Sequence, residues 1–157
     1  MRFKLFGYFL IFLSCVYIGF SITKHYRYKI ACSQAYLNLL TSILEKIEVL
    51  HLPLSKIYES CNDTQLEKVG FLKTLKEDGL KKAYDEYEYK LLFDKSHSDF
   101  CEKLGTMPHV DTVKTCNLEL IRLQKMFETQ KEQYEKKIKL FPALSMLAGL
   151  AIIILML

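Results

Sequence analysis

Long apolar stretches lie near both ends of the chain and flank a charged middle. Residues 5–22 read LFGYFLIFLSCVYIGFSI and residues 140–157 read LFPALSMLAGLAIIILML, with no charged side chain in either. A helix of this length spans roughly 27 Å, which matches the hydrocarbon core of a bilayer. The pattern predicts transmembrane helices at 5–22 and 140–157, and a polar domain at 24–139 between them.

Helical periodicity runs through the polar domain. Residues 24–51 contain no Gly or Pro, and their leucines and isoleucines recur every three or four positions, which predicts a helix continuous with the first apolar segment and ended by Pro53. Residues 111–139 show heptad spacing at Cys116, Leu120, Leu123 and Phe127, which predicts a second long helix.

Turn residues divide the region between the two long helices. Asn62 and Asp63 precede Thr64, the predicted N-cap, and Gly79 is a predicted left-handed C-cap. The predicted short helices are Leu54 to Ser60, Gln65 to Asp78, Leu80 to Phe93, and one capped by Ser96 or Ser98 and ending at Leu104–Gly105, followed by a loop at 106–109. The predicted fold is all-α, an antiparallel bundle of about five to six helices between N- and C-terminal transmembrane helices.

The charge balance argues against a nucleic-acid binder. All 18 acidic residues and 20 of the 22 basic residues lie in the middle domain, which is therefore nearly neutral. No basic face of the kind that binds nucleic acid is apparent. The sequence also lacks a phosphate-binding glycine loop, a serine elbow and paired carboxylates, so we expect no enzyme activity, no cofactor and no small-molecule substrate.

The basic residues beside the apolar segments predict the orientation. Four lysines precede the second segment and no basic residue follows it, which favours a cytoplasmic middle domain by the positive-inside tendency. The first segment could instead be a cleaved signal, because FLSC at 12–15 resembles a lipoprotein cleavage box. Its apolar run continues past Cys15, so we favour an uncleaved membrane helix and a two-pass membrane protein.

Five widely spaced cysteines give an alternative function. Their irregular spacing does not resemble a disulfide framework and favours reduced thiols. Cys61, His97, Cys101 and His109 could form a metal- or redox-sensing site, because thiolate and imidazole are ligands for zinc. We regard a buried thiol and an ordinary histidine as the simpler interpretation.

Two further patterns predict protein contacts. In the run Tyr84–Lys90, aromatic and acidic residues alternate, so Tyr84, Glu86, Glu88 and Tyr89 are candidates for partner binding. The simpler alternative is a helix whose tyrosines face the core. Small residues in the apolar segments permit close helix packing in the membrane, and the candidates are Gly7, Gly19, Ser145 and Gly149.

Motifs along nearly the whole chain resemble the stage III sporulation protein AB family. They are the opening MRFKLFG with Cys15, the sequence Ile18–Gly19–Phe20 followed by Ile22 and Lys24, Ile47 with Pro53–Leu54, Leu104–Gly105, and Leu147–Ala148–Gly149–Leu150 before the aliphatic end. The chain departs from the family pattern at Lys46, Leu52 and Pro108, where the family has an acidic residue, Thr and Asp. Contacts that depend on those polar groups are therefore not implied for this chain.

The resemblance implies a scaffold role. The family's helical domain is similar to the cytoplasmic domain of the platform, or F, protein of type II secretion machines. Its members belong to the stage III A complex, a channel-like assembly in the mother-cell membrane around the forespore. The implied partners are the other membrane proteins of that complex, its secretion-type ATPase and membrane lipid. A platform subunit of another secretion or pilus machine is the alternative within this class.

Overall fold

Two long helices carry both the apolar segments and part of the polar domain. The computed structural model describes residues 2–50, 53–104 and 109–156. Helix α1 spans Arg2–Leu50 and helix α7 spans His109–Met156. The predicted continuity of the first long helix with its apolar segment is therefore confirmed, and the second long helix is continuous with its segment as well.

Five short helices and a 3₁₀ turn follow α1 in the chain. They are α2 (Leu54–Glu59), α3 (Thr64–Val69), α4 (Phe71–Asp78), α5 (Leu80–Tyr87), the 3₁₀ turn Glu88–Lys90, and α6 (Ser96–Leu104). The described residues form no β-strand. The predicted all-α class, with a helical core flanked by two long apolar helices, is confirmed.

Three local predictions were wrong. The predicted helix over residues 65–78 is broken at Gly70, whose φ of +93° ends α3 in the left-handed conformation. Asp63, not Thr64, caps α3, because its carboxylate accepts hydrogen bonds from the backbone amides of Gln65 and Leu66 at 2.8 and 3.0 Å. The predicted helix over residues 80–93 ends at Tyr87, and the chain is extended at Leu91. Local propensity does not fix these breaks, which follow from packing.

Two predictions concern residues outside the described ranges. Residues 106–108 of the predicted loop at 106–109 lie outside the described ranges, and His109 is already part of α7. The predicted end of the first long helix at His51 also lies outside the described residues, whereas Pro53 is the N-terminal cap residue of α2.

The chain divides into two compact units. One, here called the apolar helix pair, consists of Met1–Tyr28 and Lys131–Leu157, and the other, here called the helical bundle, consists of Lys29–Gln130. The predicted membrane segments 5–22 and 140–157 fall in the apolar helix pair. The predicted domain 24–139 comprises the helical bundle and a few residues of the pair on either side.

Aromatic and aliphatic residues fill the core of the helical bundle. Tyr36 of α1 is fully buried, and its ring packs against those of Phe71, Tyr84 and Phe93 with centroid distances of 5.5–5.8 Å. The predicted face of α7 is largely confirmed, since Cys116, Leu123 and Phe127 are buried. The amide of Leu92 donates to the Ser33 hydroxyl at 2.8 Å, which fixes the extended segment after the 3₁₀ turn on α1.

Candidate functional site

A chain of polar side chains crosses the helical bundle and joins three of its helices. Tyr36 on α1, His97 on α6 and Glu119 on α7 are its members. His97 is fully buried, with its Nε2 2.6 Å from the Tyr36 hydroxyl and its Nδ1 2.9 Å from a Glu119 carboxylate oxygen. The Cys101 sulfur lies 3.7 Å from the same hydroxyl. Both ring nitrogens of His97 are therefore hydrogen-bonded inside the protein.

The geometry defines the direction of these hydrogen bonds. A carboxylate only accepts, so the Nδ1–H of His97 donates to Glu119 and Nε2 accepts from the Tyr36 hydroxyl. Burial lowers the pKa of His97, and the hydrogen bond to Glu119 opposes that effect. Burial also raises the pKa of the Tyr36 phenol well above its ordinary value. The polar chain thus consists of a neutral histidine, His97, hydrogen-bonded between the Tyr36 phenol and the Glu119 carboxylate.

Arg122 extends the polar chain to the surface of the bundle. Its guanidinium lies 3.3 Å from both Glu119 carboxylate oxygens and 3.4 Å from a carboxylate oxygen of Asp94. It also contacts the hydroxyl of Ser96, at the start of α6. The carboxylate of Glu119 is only 12% exposed, so its charge is balanced locally by Arg122. This arrangement fixes α6 against α7.

The proposed cysteine and histidine sensor receives no support from the geometry. His97 and Cys101 lie close together, but both His97 nitrogens are engaged, and the Cys61 thiol donates to the Ile57 carbonyl at 3.2 Å. Burial raises the pKa of Cys101 to about 12, which opposes thiolate formation. The side chain of His109 lies outside the described residues. Among those described, no group of three His, Cys, Asp or Glu residues is placed to hold a metal.

The aromatic and acidic run on α5 and the 3₁₀ turn contains buried and exposed members. Tyr84 is fully buried, and its hydroxyl donates to the Asp94 carbonyl at 2.9 Å. The prediction that it lies on a partner-binding surface was therefore wrong, and the core-facing alternative holds for this residue. Tyr89 is 64% exposed, Glu86 is exposed, and Glu88 is half-buried. Partner binding by these three residues stays a prediction.

Two of the glycines in the apolar helix pair lie where the other helix approaches closely. A Cβ atom added to Gly19 would lie 2.9 Å from the Ser145 Cβ, and one added to Gly149 would lie 3.1 Å from a ring carbon of Phe12 and 3.3 Å from the Cys15 Cβ. Gly149 of α7 meets Phe12 and Cys15 of α1, whereas the earlier Ser145 of α7 meets the later Gly19 of α1. The two segments are therefore antiparallel. Among the described residues, none comes within 4 Å of a Cβ atom added to Gly7. A role of these contacts inside a membrane stays a prediction.

Sequence patterns alone did not identify the polar chain. Tyr36 and Glu119 are separated by 83 positions in the sequence and belong to no short motif. The only available signal was the placement of a tyrosine on the buried face of α1, next to the leucines that predict that helix. His97 and Cys101 were identified, but for a metal site and not for a hydrogen-bonded core.

Helices α1 and α7 each contain a window that is long and apolar enough to cross a membrane. Their mean hydropathies over 18 residues are 1.5 and 2.2, and only 11% and 6% of the window is buried inside the protein. The core helix of a soluble protein would be mostly buried, and these windows are not. They are candidate membrane-spanning helices by length and composition.

Comparison with known proteins gives the family. The family model for stage III sporulation protein AB matches residues 4–157 and thus includes both apolar segments and the helical bundle. A search of the curated proteins and a search of the solved structures gave no match. Because the family match extends over almost the whole length, the chain belongs to the stage III sporulation protein AB family.

Proposed function

We propose that this protein is a non-catalytic membrane scaffold subunit of the stage III A complex, required for development of the forespore. The observation that carries the proposal is the family match over residues 4–157, which covers two candidate membrane-spanning helices together with the bundle. The interior of the bundle supports it, because the polar side chains there bind one another. A rigid bundle held at a membrane suits a positional role.

The proposed arrangement is a two-pass protein of the mother-cell membrane with a cytoplasmic bundle. Lys131, Lys136, Lys137 and Lys139 precede the second apolar segment, where the positive-inside tendency keeps them in the cytoplasm. The rings of Tyr26, Tyr134 and Phe141 pack together beside these lysines, with centroid distances of 4.9 and 5.8 Å from Tyr26. Tyrosine favours the membrane–water interface, which supports placing both segment ends there.

The proposed partners are the other membrane proteins of the stage III A complex, its secretion-type ATPase and membrane lipid. The protein would act like the platform of a secretion machine, with its bundle holding an ATPase near membrane subunits. Among the predicted partner residues, Tyr89 and Glu86 are exposed and Glu88 is half-buried, and a carboxylate oxygen of Glu86 accepts from the Thr74 hydroxyl at 3.2 Å. No step of this role requires a cofactor, a nucleic acid or a small-molecule substrate.

The test of the function is an in-frame deletion in the native organism, complemented by wild-type and variant copies. We expect normal vegetative growth, arrest around engulfment and few heat-resistant spores in the deletion strain, with rescue by the wild-type copy. A copy carrying Glu86→Ala, Glu88→Ala and Tyr89→Ala tests the partner surface, and Tyr84 stays unchanged because it is part of the core. Normal spore yield in the deletion strain would overturn the proposal and favour another membrane machine.

The orientation needs an introduced thiol. The four native cysteines of the bundle are buried, so an impermeant reagent would miss them in a folded protein on either side of the membrane. Lys73→Cys places a thiol at an exposed position of α4. We expect a membrane-impermeant maleimide to label it only after the cells are permeabilised. Labelling of intact cells above the level of the parent chain would place the bundle outside.

A further inference from the structure

Helix α7 has a second stripe on the face opposite to its core residues. Lys114, Leu118, Ile121 and Lys125 follow one another at spacings of four, three and four, so they line one side of the helix. We call these four residues the outer stripe. Leu118 and Ile121 are each 62% exposed, and both lysines are exposed as well. Two neighbouring aliphatic side chains are thus presented between two cations.

The cations of the outer stripe are available for an external partner. Within the described part of the chain, neither Lys114 nor Lys125 forms an ion pair. The adjacent Arg122 is different, because Glu119 and Asp94 already hold its guanidinium. A partner that covers the two aliphatic residues would therefore have to supply carboxylates to the lysines.

The outer stripe is poorly suited to pair with itself. In a parallel pair that matches Leu118 with Leu118, each lysine would face the same lysine of the other copy. In an antiparallel pair that matches Leu118 with Ile121, Lys114 would face Lys125 because the stripe is symmetric about its centre. Both registers that cover the aliphatic residues thus place like charges together, which disfavours association.

A complementary surface is present elsewhere in the same bundle. Tyr89, the largest exposed aromatic residue of the bundle, lies on the 3₁₀ turn beside Glu88, and Glu86 is exposed near the end of α5. We call Glu86, Glu88 and Tyr89 the acidic edge. The Lys90 ammonium lies 5.3 Å from the Tyr89 ring centroid and packs against the aromatic face. The edge offers an aromatic contact together with two carboxylates, the chemistry that the outer stripe requires.

A line of side-chain contacts connects α7, beside the outer stripe, with α5, which carries part of the acidic edge. Arg122 follows Ile121 in the sequence, and its guanidinium lies 3.4 Å from a carboxylate oxygen of Asp94. The carbonyl of Asp94 accepts a hydrogen bond from the Tyr84 hydroxyl at 2.9 Å. Tyr84 precedes Glu86 by only two residues.

We propose that the outer stripe of one copy binds the acidic edge of a second copy of this chain. Leu118 and Ile121 would pack against Tyr89, while the lysines pair with Glu86 and Glu88. Because the two surfaces differ, one copy can engage a neighbour at each surface, and the contact would form either a closed dimer or a ring. This self-association goes beyond the proposed scaffold role, and it would occupy the same three residues that the proposed function offers to other subunits.

The test is chemical cross-linking between two differently tagged full-length chains in detergent micelles. One chain carries Ile121→Cys and the other Tyr89→Cys, and a short bis-maleimide joins thiols that approach each other. The matched control replaces Tyr89→Cys by Lys56→Cys, an exposed position on α2. We expect the Ile121–Tyr89 product to exceed both the control product and the Ile121–Ile121 product by about tenfold.

Charge reversal sharpens the same experiment. Lys125→Glu in the Ile121→Cys chain should reduce the cross-linked product about fivefold or more, and Glu88→Lys in the Tyr89→Cys chain should restore it. Lys56→Glu is the matched control and should change nothing. The substitutions lie outside the buried core, and an unchanged helical circular dichroism signal verifies folding. A dominant Ile121–Ile121 product, or no product above the control, would overturn the proposal.

Discussion

The apolar helix pair and the helical bundle use the same types of residue in opposite ways. In the bundle, Leu75 and Leu123 are fully buried. In the apolar helix pair, Tyr17 is 75% exposed, Ile154 71% and Leu147 62%. The bundle helices bury most of their large apolar side chains, whereas the uncharged segments 5–22 and 140–157 of the pair expose many of theirs. Such a surface is stable in contact with apolar surroundings, which supports the proposed membrane location of the pair.

The two regions also differ in what fixes their helices. In the apolar helix pair, a glycine lets the other helix approach closely at Gly19 and at Gly149. In the bundle, hydrogen bonds of Tyr36, His97 and Glu119 add to apolar packing. Close packing in the apolar helix pair depends on the absence of a side chain at glycine. The polar interactions in the bundle depend on buried polar atoms that are all hydrogen-bonded. Each can therefore be disrupted by a different kind of substitution.

The largest effect should come from a cavity in the bundle. Leu75→Ala should lower the free energy of unfolding of the full-length chain in detergent micelles by about 2–5 kcal/mol, because the side chain is fully buried. Leu147→Ala, the same change in the apolar helix pair, should cost far less, since that side chain contacts detergent. Chemical denaturation followed by circular dichroism measures both. Equal losses would contradict the comparison of burial.

A smaller effect should come from overpacking the apolar helix pair. Gly19→Leu should lower stability by about 1–3 kcal/mol, because its Cβ alone would lie 2.9 Å from the Cβ of Ser145. Gly7→Leu is the matched control, since no atom in the described part of the chain lies within 4 Å of its added Cβ. Thermal unfolding in micelles gives the difference between the two variants. A midpoint for Gly19→Leu equal to that of Gly7→Leu would show that the helices do not meet at this position.

Removal of one hydroxyl tests the polar chain of the bundle. Tyr36→Phe keeps the packed ring but leaves the Nε2 atom of His97 without its partner, at a cost of about 1–2 kcal/mol. Tyr89→Phe removes an exposed hydroxyl and should leave stability unchanged. The same denaturation experiment compares them. If Tyr36→Phe were as stable as the parent chain, the Tyr36–His97 hydrogen bond would contribute nothing to stability.

The smallest effect should appear as a dependence of stability on pH. Burial lowers the pKa of His97 from its ordinary value of 6.5, although Glu119 opposes this. Below that value the unfolded chain binds a proton that the folded chain resists, so the free energy of unfolding should decrease as the pH falls below about 6.5. His97→Gln should weaken this dependence between pH 7 and 5. His25→Gln, at an exposed position, should retain it.

Much of the fold follows from the sequence because its determinants are local. The uncharged segments 5–22 and 140–157 can be read directly, and the spacing of Cys116, Leu123 and Phe127 indicates the buried face of α7. Pro53 was correctly placed at a helix boundary. The motifs that resemble the family were also visible in order along the chain, and the family match confirms the family that they indicated.

The short helices were predicted less accurately because several residues compete for each role. Asp63 and Thr64 are both suitable caps, and only the geometry shows that the carboxylate accepts the amide hydrogen bonds. Gly70 was not recognised as a break, since a single glycine is compatible with a helix at modest cost. Its positive φ is defined by the packing of α3 and α4.

The helical class and the apolar segments could be read from the sequence, because composition and periodicity are local properties, and the order of motifs along the chain indicated the family. Tertiary packing is what buries Tyr84 while Tyr89 stays exposed, and what brings His97 into hydrogen-bond distance of Tyr36 and Glu119. It also decided which of the glycines in the apolar segments meet another helix. These outcomes depend on contacts between residues far apart in the chain, which no local pattern specifies.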